Sequence, residues 1–385
     1  MAMTQAEFRL RRRQLMLHDG VAFLILTTAT GILFAVTLLL FRSFSTHRAD
    51  LAVRYSERGR IALAESRPKD AIAALRTSLI YAPSERSTEF LLAQALGADG
   101  RLEESRNYFL NLWDSQPGDG FINLQLARLS RQSKQKQQAI DYYRASIYGS
   151  WYGSGDTRRR EVRLELADYL LTVKDTAAAQ AELLIAASNA PENPSLQIDL
   201  GDRLLRADDP AEALNQYRKA IAESSRNPIA YEKAGLLAFQ MGNYLQARDW
   251  LERALRESAG APGSAADPEG DTATLLKKVE RILTLDPNRA ANRADRITRL
   301  MDSRIIAQRR FEACQKQNPS PALQALATRW TATNRTVTRA ALNRDASAEE
   351  TLTALISDSE TLTAQLCGVP QGDDDLLLLL AKRGH

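Results

Sequence analysis

The chain has 385 residues, 44% apolar and 25% charged, with few Gly or Pro, which excludes a disordered or low-complexity protein and makes more than one structural unit expected. Its 51 basic and 47 acidic residues leave a formal charge of +4, too small an excess on a chain of this size to imply nucleic acid. Aromatics at 6% with abundant Ala and Leu lean towards helices rather than sheets, so the expected fold class is all-α.

In chain order, residues 1–20 form a basic segment with Arg9, Arg11, Arg12 and Arg13. Residues 21–41, VAFLILTTATGILFAVTLLLF, then run 21 positions without a charge. About 20 helical residues cross the hydrocarbon core of a bilayer, so a transmembrane helix is expected. The following FRSFSTHRAD offers no convincing small-x-small cleavage site, which favours an uncleaved anchor over a signal peptide. Arg42, Arg48 and Arg54 follow the span. The tighter cluster before it favours a cytoplasmic N-terminus, and with it a bacterial inner-membrane protein whose remainder is periplasmic; the reverse orientation is the alternative. Residues 42–51 read as a juxtamembrane linker.

Beyond residue 52 the chain repeats. In KDAIAALRTSLIYAP, Ala71, Leu75, Ser78 and Pro83 recur 34 residues on as Ser105, Phe109, Leu112 and Pro117. Ala139, Tyr143 and Ser146 follow after another 34, Ala179, Leu183 and Ala186 after 40, and Ala213 and Ala247 start two further copies at steps of 34. Each copy is preceded by a helix with a small residue, Gly59, Ala93, Ala127, Ala167, Gly201 or Gly235. That residue lets two helices approach, and the Ala of the second helix is expected to fit against it. Six units in register resemble the tetratricopeptide repeat over residues 52–260, although Arg58, Ser105 and the missing terminal Pro of three units depart from the family pattern. The resemblance implies a right-handed α-solenoid of about six to seven helix pairs, with a groove that receives an extended peptide or a helix of a partner protein.

The resemblance also implies which positions line that groove: Phe90, Gln94, Leu124, Arg128, Arg131, Asp168, Asp202 and Phe239 stand where similar repeats contact ligands. Front units would offer cations and rear units anions. The alternative is that these are simply solvated or packed helix residues. Ser56 and Arg60 stand where similar chaperone adaptors carry a carboxylate clamp, so a chaperone tail is not the expected ligand.

The six-residue insertion falls in YGSWYGSGDTRRRE. Its Trp151, Tyr152, Arg158, Arg159 and Arg160 are residue types common at interface hot spots, which makes the loop a candidate contact site; equally, the aromatics would plug a widened gap between units three and four. Register fails in the Gly- and Pro-rich residues 257–273, and TLLKKVERILTLDP resembles a helix of a degenerate seventh unit. Residues 261–288 are thus expected to be a linker and a capping helix.

Residues 289–385 form a C-terminal helical domain. Three amphipathic segments at about 290–316, 320–343 and 347–367 suggest an up-down-up bundle, with a degenerate solenoid as the competitor. From Arg289 to Arg344 there are 12 basic and 3 acidic residues, and from Asp345 to Asp375 8 acidic and no basic ones. Pairing inside the domain is the expected use of this division, and an anionic partner the alternative. Cys314 and Cys367 end the first and third segments, which run parallel in such a bundle. A disulfide between them would contribute on the order of 4 kcal/mol and require an oxidising compartment; two unrelated buried thiols are the alternative. Only His18, His47 and His385 accompany them, so no metal site is expected. The tail DDDLLLLLAKRGH must bury its leucines against the domain or dock them on a partner.

No phosphate loop, G-x-S-x-G or H-E-x-x-H motif is present, so neither an enzyme nor a cofactor is expected. The function expected is that of a membrane-anchored scaffold or adaptor that binds partner proteins and helps assemble or stabilise a cell-envelope complex, held to the bilayer through residues 21–41 and binding no nucleic acid. The alternatives are the same scaffold facing the cytoplasm, or an accessory subunit of an envelope enzyme or export machine. The sequence leaves oligomeric state open.

Overall fold

The computed structural model describes residues 5–259, 270–287 and 292–383. The Gly- and Pro-rich part of the expected linker, 260–269, lies outside the described residues, as do 1–4, 288–291, 384–385 and the side chains of Arg9, Arg11, Arg12 and Arg13. All regular structure among the described residues is helical, and it divides into two units, residues 1–166 and 167–385.

The first unit opens with α1, Gln5–Ala64, one helix of 60 residues. By length and composition this helix can cross a membrane. Residues 42–51, expected to be a linker, are helical within it. The reason is compositional: no Gly or Pro stands between Gly31 and Gly59, and the hydroxyls of Ser45 and Thr46 bond back to the carbonyl of Arg42 within the helix instead of opening a turn. Then follow α2 Pro68–Tyr81, α3 Arg86–Ala98, α4 Leu102–Ser115, α5 Gly120–Gln132 and α6 Lys136–Tyr148, while α7, Gly155–Thr172, carries the chain into the second unit. The second unit continues the helix pairs with α8 Thr176–Ser188, α9 Pro194–Arg206, α10 Pro210–Glu223, α11 Pro228–Gln240 and α12 Tyr244–Ala259.

Two local devices make each pair. The leading helix ends on a residue in the left-handed region: Ser66, Gly100, Lys134, Lys174, Asp208 and Gly242, with φ between 57° and 82°. Every one carries the same two backbone bonds. At the first, Ser66 N donates to Leu63 O (3.0 Å) and Arg67 N to Ala62 O (2.8 Å), and the other five repeat this pattern, a Schellman closure that satisfies the last free carbonyls and reverses the chain. The following helix starts at a side-chain cap at Asp175 and Asp209 and with Pro in the first turn at Pro68 and Pro210, whereas α4 and α6 start with neither.

The second device is packing across the pair. A Cβ at Gly59 would lie 2.4 Å from Leu75 Cγ, and one at Gly201 2.4 Å from Tyr217 Cε1. The large residue of the following helix therefore closes the space that the small residue leaves at these two positions. Ala71, expected to fit against the small residue, is fully buried in the same core as Leu75, Leu92 and Leu96. Such fits leave no room for a larger side chain, because protein interiors are packed to crystal density.

The last part of the second unit is α13 Asp271–Leu285, α14 Arg293–Gln317, α15 Pro321–Thr336, α16 Arg339–Arg344, α17 Ala346–Cys367 and α18 Asp373–Arg383. The second of the three expected segments is broken at Val337, where the Thr338 hydroxyl caps a new helix by accepting from Ala341 N. One hydrophobic core runs from Tyr244 and Leu251 on α12 through Ile282, Phe311, Trp330, Leu352 and Leu355 to Leu376 and Leu377. These helices thus share their core with the final repeat; Leu376 and Leu377 of the tail are buried in it, and Leu379 and Leu380 pack against it.

Helices α14 and α17 run in the same direction: Arg293 and Arg296 meet Glu349 near one end (3.8 and 3.6 Å), and Cys314 is bonded to Cys367 at the other, Cα atoms 5.8 Å apart. Further pairs join Arg329 to Asp358 (2.7 Å), Arg281 to Asp373 (2.6 Å) and Lys278 to Asp375 (3.0 Å), so the divided charge of this region is used within it. Glu360 is the exception in quality. It is fully buried, Arg310 Nε stands 3.6 Å away, and neither carboxyl oxygen has a hydrogen bond among the described residues. Burial, helped by Asp374 and opposed by Arg310, pushes its carboxyl up to about 8.

Two predictions follow from these geometries. Lys134→Gly and Lys174→Gly should each raise stability by about 0.5–1 kcal/mol, and Gly242→Ala should lower it by about 1 kcal/mol or more, in urea denaturation of the full chain. Because the folded value of Glu360 lies above the unfolded one, its contribution is complete below about pH 4.5 and is lost as pH rises through about 8. Glu360→Gln should therefore flatten the fall in urea midpoint across that window and stabilise the protein on its alkaline side.

Candidate functional site

The residues implied to line a groove lie on the leading helices, and the structure divides them into packed, paired and open positions. In the first unit Phe90 is half-buried, its ring edge-on to Phe109 at 5.4 Å, and Gln94 sits one turn further along α3. Leu124 is only 7% exposed; it belongs to the core, which removes it from the surface expected to meet a ligand.

Arg128 is committed inside the chain. Its Nε and Nη2 donate to Glu165 at 3.0 and 2.7 Å, and the Tyr143 hydroxyl donates to the same carboxylate at 2.8 Å. Arg131 approaches it at 3.9 Å. Burial alone would raise the Glu165 carboxyl, but the hydrogen bonds from Arg128 and Tyr143 hold it below its ordinary value. The Tyr143 phenol is pushed up, first by burial and then by that carboxylate.

The second unit repeats the arrangement with the signs exchanged. Asp168 binds Arg203 and, at 2.7 Å, Arg206. Asp202 accepts from Lys233 at 2.9 Å and from the Tyr217 hydroxyl at 2.7 Å, and Tyr217 is pushed up chiefly by burial. Phe239 packs on Tyr244 at 5.8 Å with Lys278 Nζ over its ring. The cations and anions expected to await a ligand are therefore joined from one leading helix to the next. Apolar side chains stay open beside them: Leu205 is 38% and Leu236 44% exposed.

The insertion is held as firmly as a helix end. Gly120 N donates to Ser150 O at 2.9 Å and Ser150 N to Gly118 O at 2.7 Å, tying the α6–α7 loop to the α4–α5 turn. Trp151 lies against Phe121 at 4.7 Å, and its indole donates to Ser146 O at 2.8 Å. Gly120 is needed there, since a Cβ would stand 2.4 Å from the Trp151 ring. Trp151 is thus packed on residues of α5 and α6 inside the first unit. Tyr152, 82% exposed, points away from it. Arg158 pairs with Glu161 and Arg159 with Asp156, both at 3.0 Å, and Arg160 is half-buried. Tyr148, with the Arg163 guanidinium 5.7 Å above its ring, was not singled out by sequence; nothing in the repeat pattern marks it.

Comparison with known proteins adds the following. The family model of the tetratricopeptide repeat matches residues 56–120 and 198–262. Among solved structures, the chain is similar to pilF of Pseudomonas aeruginosa (15% identity, 60% of this chain and 98% of that one, TM-score 0.40). It is similar also to the C-terminal part of a repeat protein of Cytophaga hutchinsonii (12%, 64% and 93%, 0.46) and to a repeat protein of Parabacteroides merdae (12%, 66% and 92%, 0.38). No curated protein matches.

Since the lowered Glu165 value means stabilisation that is present above about pH 4.5 and lost as pH falls through the folded value, Glu165→Gln should cost roughly 1–2 kcal/mol at neutral pH and less in acid. Urea midpoints at several pH values check this. The two matched stretches, residues 56–120 and 198–262, are thus tetratricopeptide repeats, and proteins with this repeat are generally protein-interaction scaffolds.

Proposed function

We propose that this protein is a membrane-anchored scaffold whose repeats bind partner proteins and help assemble or stabilise a cell-envelope complex, without catalysis of its own. The observation that carries the reading is the surface of the leading helices. Ion pairs such as Arg128 to Glu165 and Asp202 to Lys233 lock neighbouring helices, leaving half-open apolar and amide positions at Phe90, Gln94, Leu205 and Leu236. Within each unit, a face whose charges are already satisfied suits an extended peptide or helix with apolar anchors, because such a ligand strands no buried charge on binding.

Location rests on two features. The uncharged stretch 21–41 lies in a helix long and apolar enough for a bilayer, and the bond between Cys314 and Cys367 supports an oxidising compartment for the rest of the chain. Both fit an inner-membrane protein with a cytoplasmic N-terminus and periplasmic repeats.

A photocrosslinking residue at Gln94 should capture one or a few discrete proteins in intact cells, and the same residue at the exposed Asn111 of α4 should not. Equal capture from both positions would remove the binding assignment. Asn111→Cys should also react with an impermeant maleimide in spheroplasts. Reaction only after lysis would place the repeats in the cytoplasm.

A further inference from the structure

Helix α1 does not stop at the bilayer: it passes from the apolar stretch into the first repeat without a Gly or Pro between Gly31 and Gly59. Helix α2 returns antiparallel to it, and three contacts fix how far back it reaches. The Ser78 hydroxyl donates to Ala52 O at 2.7 Å, the rings of Tyr55 and Tyr81 stack at 6.0 Å, and Arg48 Nη2 donates to Tyr81 O at 2.9 Å. The end of α2 thus stands level with Arg48. Arg48 follows Phe41, the last residue of the apolar stretch, by seven positions, or about 10 Å of helix. A bilayer adds roughly 5–8 Å of headgroup on each side of its hydrocarbon core. With residues 21–41 in the hydrocarbon core, the α2–α3 corner would stand a few ångströms beyond the headgroup layer, within reach of it through long side chains and a modest tilt.

What it presents there suits a lipid surface. Ile80 is 70% and Phe44 62% exposed; the Arg48 guanidinium reaches Ile80 O and lies over the Phe44 ring, and Arg42 and His47 are exposed on the same stretch of α1. The acids nearby are Asp50, paired with Arg54 at 2.7 Å, and Glu85, which accepts from Ser87. An apolar side chain among arginines is the composition that anchors soluble elements at anionic membranes.

We propose that the α2–α3 corner, with Ile80 at its tip, is a second membrane contact that docks on the anionic headgroups of the bilayer in which α1 is anchored and sets the tilt of the first repeats. This rests on the anchor reading above and goes beyond it, because an anchored helix alone would leave the corner in water.

The test uses the full chain in vesicles of phosphatidylethanolamine and phosphatidylglycerol, labelled with an environment-sensitive thiol probe at Thr30→Cys, Ile80→Cys or Glu65→Cys, with a quencher on the lipid headgroup. The native cysteines are bonded to each other and do not react. Glu65 lies 24 residues beyond Phe41, about 36 Å along the helix, and serves as the distant control. The probe at 80 should be quenched about threefold more than the one at 65, and the difference should shrink in phosphatidylcholine vesicles as the electrostatic share is lost. A probe at 80 no more quenched than the one at 65, with the probe at 30 buried in lipid, overturns the docking and leaves the anchor standing. A probe at 30 that remains in water removes the anchor and the docking with it. Equal quenching at 80 in both vesicle types overturns the assignment to anionic headgroups.

Discussion

The structure depends on one backbone conformation repeated at fixed intervals. Each leading helix closes on a residue with positive φ, and the amide after it reaches back to the carbonyl five positions before. Without that closure the helix would continue, and the following helix could not return to bury its apolar face. Only two of the six positions, Gly100 and Gly242, use the residue that adopts this conformation freely. Ser66, Lys134, Lys174 and Asp208 hold it against steric cost, which means that packing across the pair supplies the difference.

That packing is specific in a way that small residues alone do not express. Gly59 and Gly201 are gaps shaped by Leu75 and Tyr217, so each pair fixes its own spacing with one large side chain. Tyr217 then extends its hydroxyl to Asp202, as Tyr143 does to Glu165. The residue that packs the pair also orients a carboxylate, and the carboxylate binds a cation on an adjacent leading helix, Arg128 on the one before Glu165 and Lys233 on the one after Asp202. Core and surface are joined by the same two tyrosines, and this explains why the charged positions are not free for a ligand.

Much of the fold was legible in the sequence. A period of 34, its one step of 40 and its failure after residue 257 marked the helix pairs and their end, because burying one face of a stacked pair imposes the same apolar spacing on each copy. The parallel placement of Cys314 and Cys367 could be read from segment order. Other features were less accessible. Residues 42–51 looked like a linker because a change from apolar to polar composition signals the end of a membrane span, yet composition sets the environment of a helix and not its end; only the lack of Gly and Pro pointed the other way. The break at Val337 depended on a single capping threonine.

The candidate site was legible only as positions. Spacing named Arg128, Asp168 and Asp202, but it could not say that Glu165, Arg203 and Lys233 would meet them, because those partners come from different helices and no local pattern couples them. The same holds for Trp151, whose place was decided by the glycine 31 positions earlier that makes room for it. By itself the sequence determined which residues are helical, how they repeat and which stretch is apolar enough for a bilayer, since these follow from local propensity and periodicity. Tertiary structure alone decided which side chains remain open to a partner, because exposure and ion pairing depend on what a neighbouring helix brings within a few ångströms.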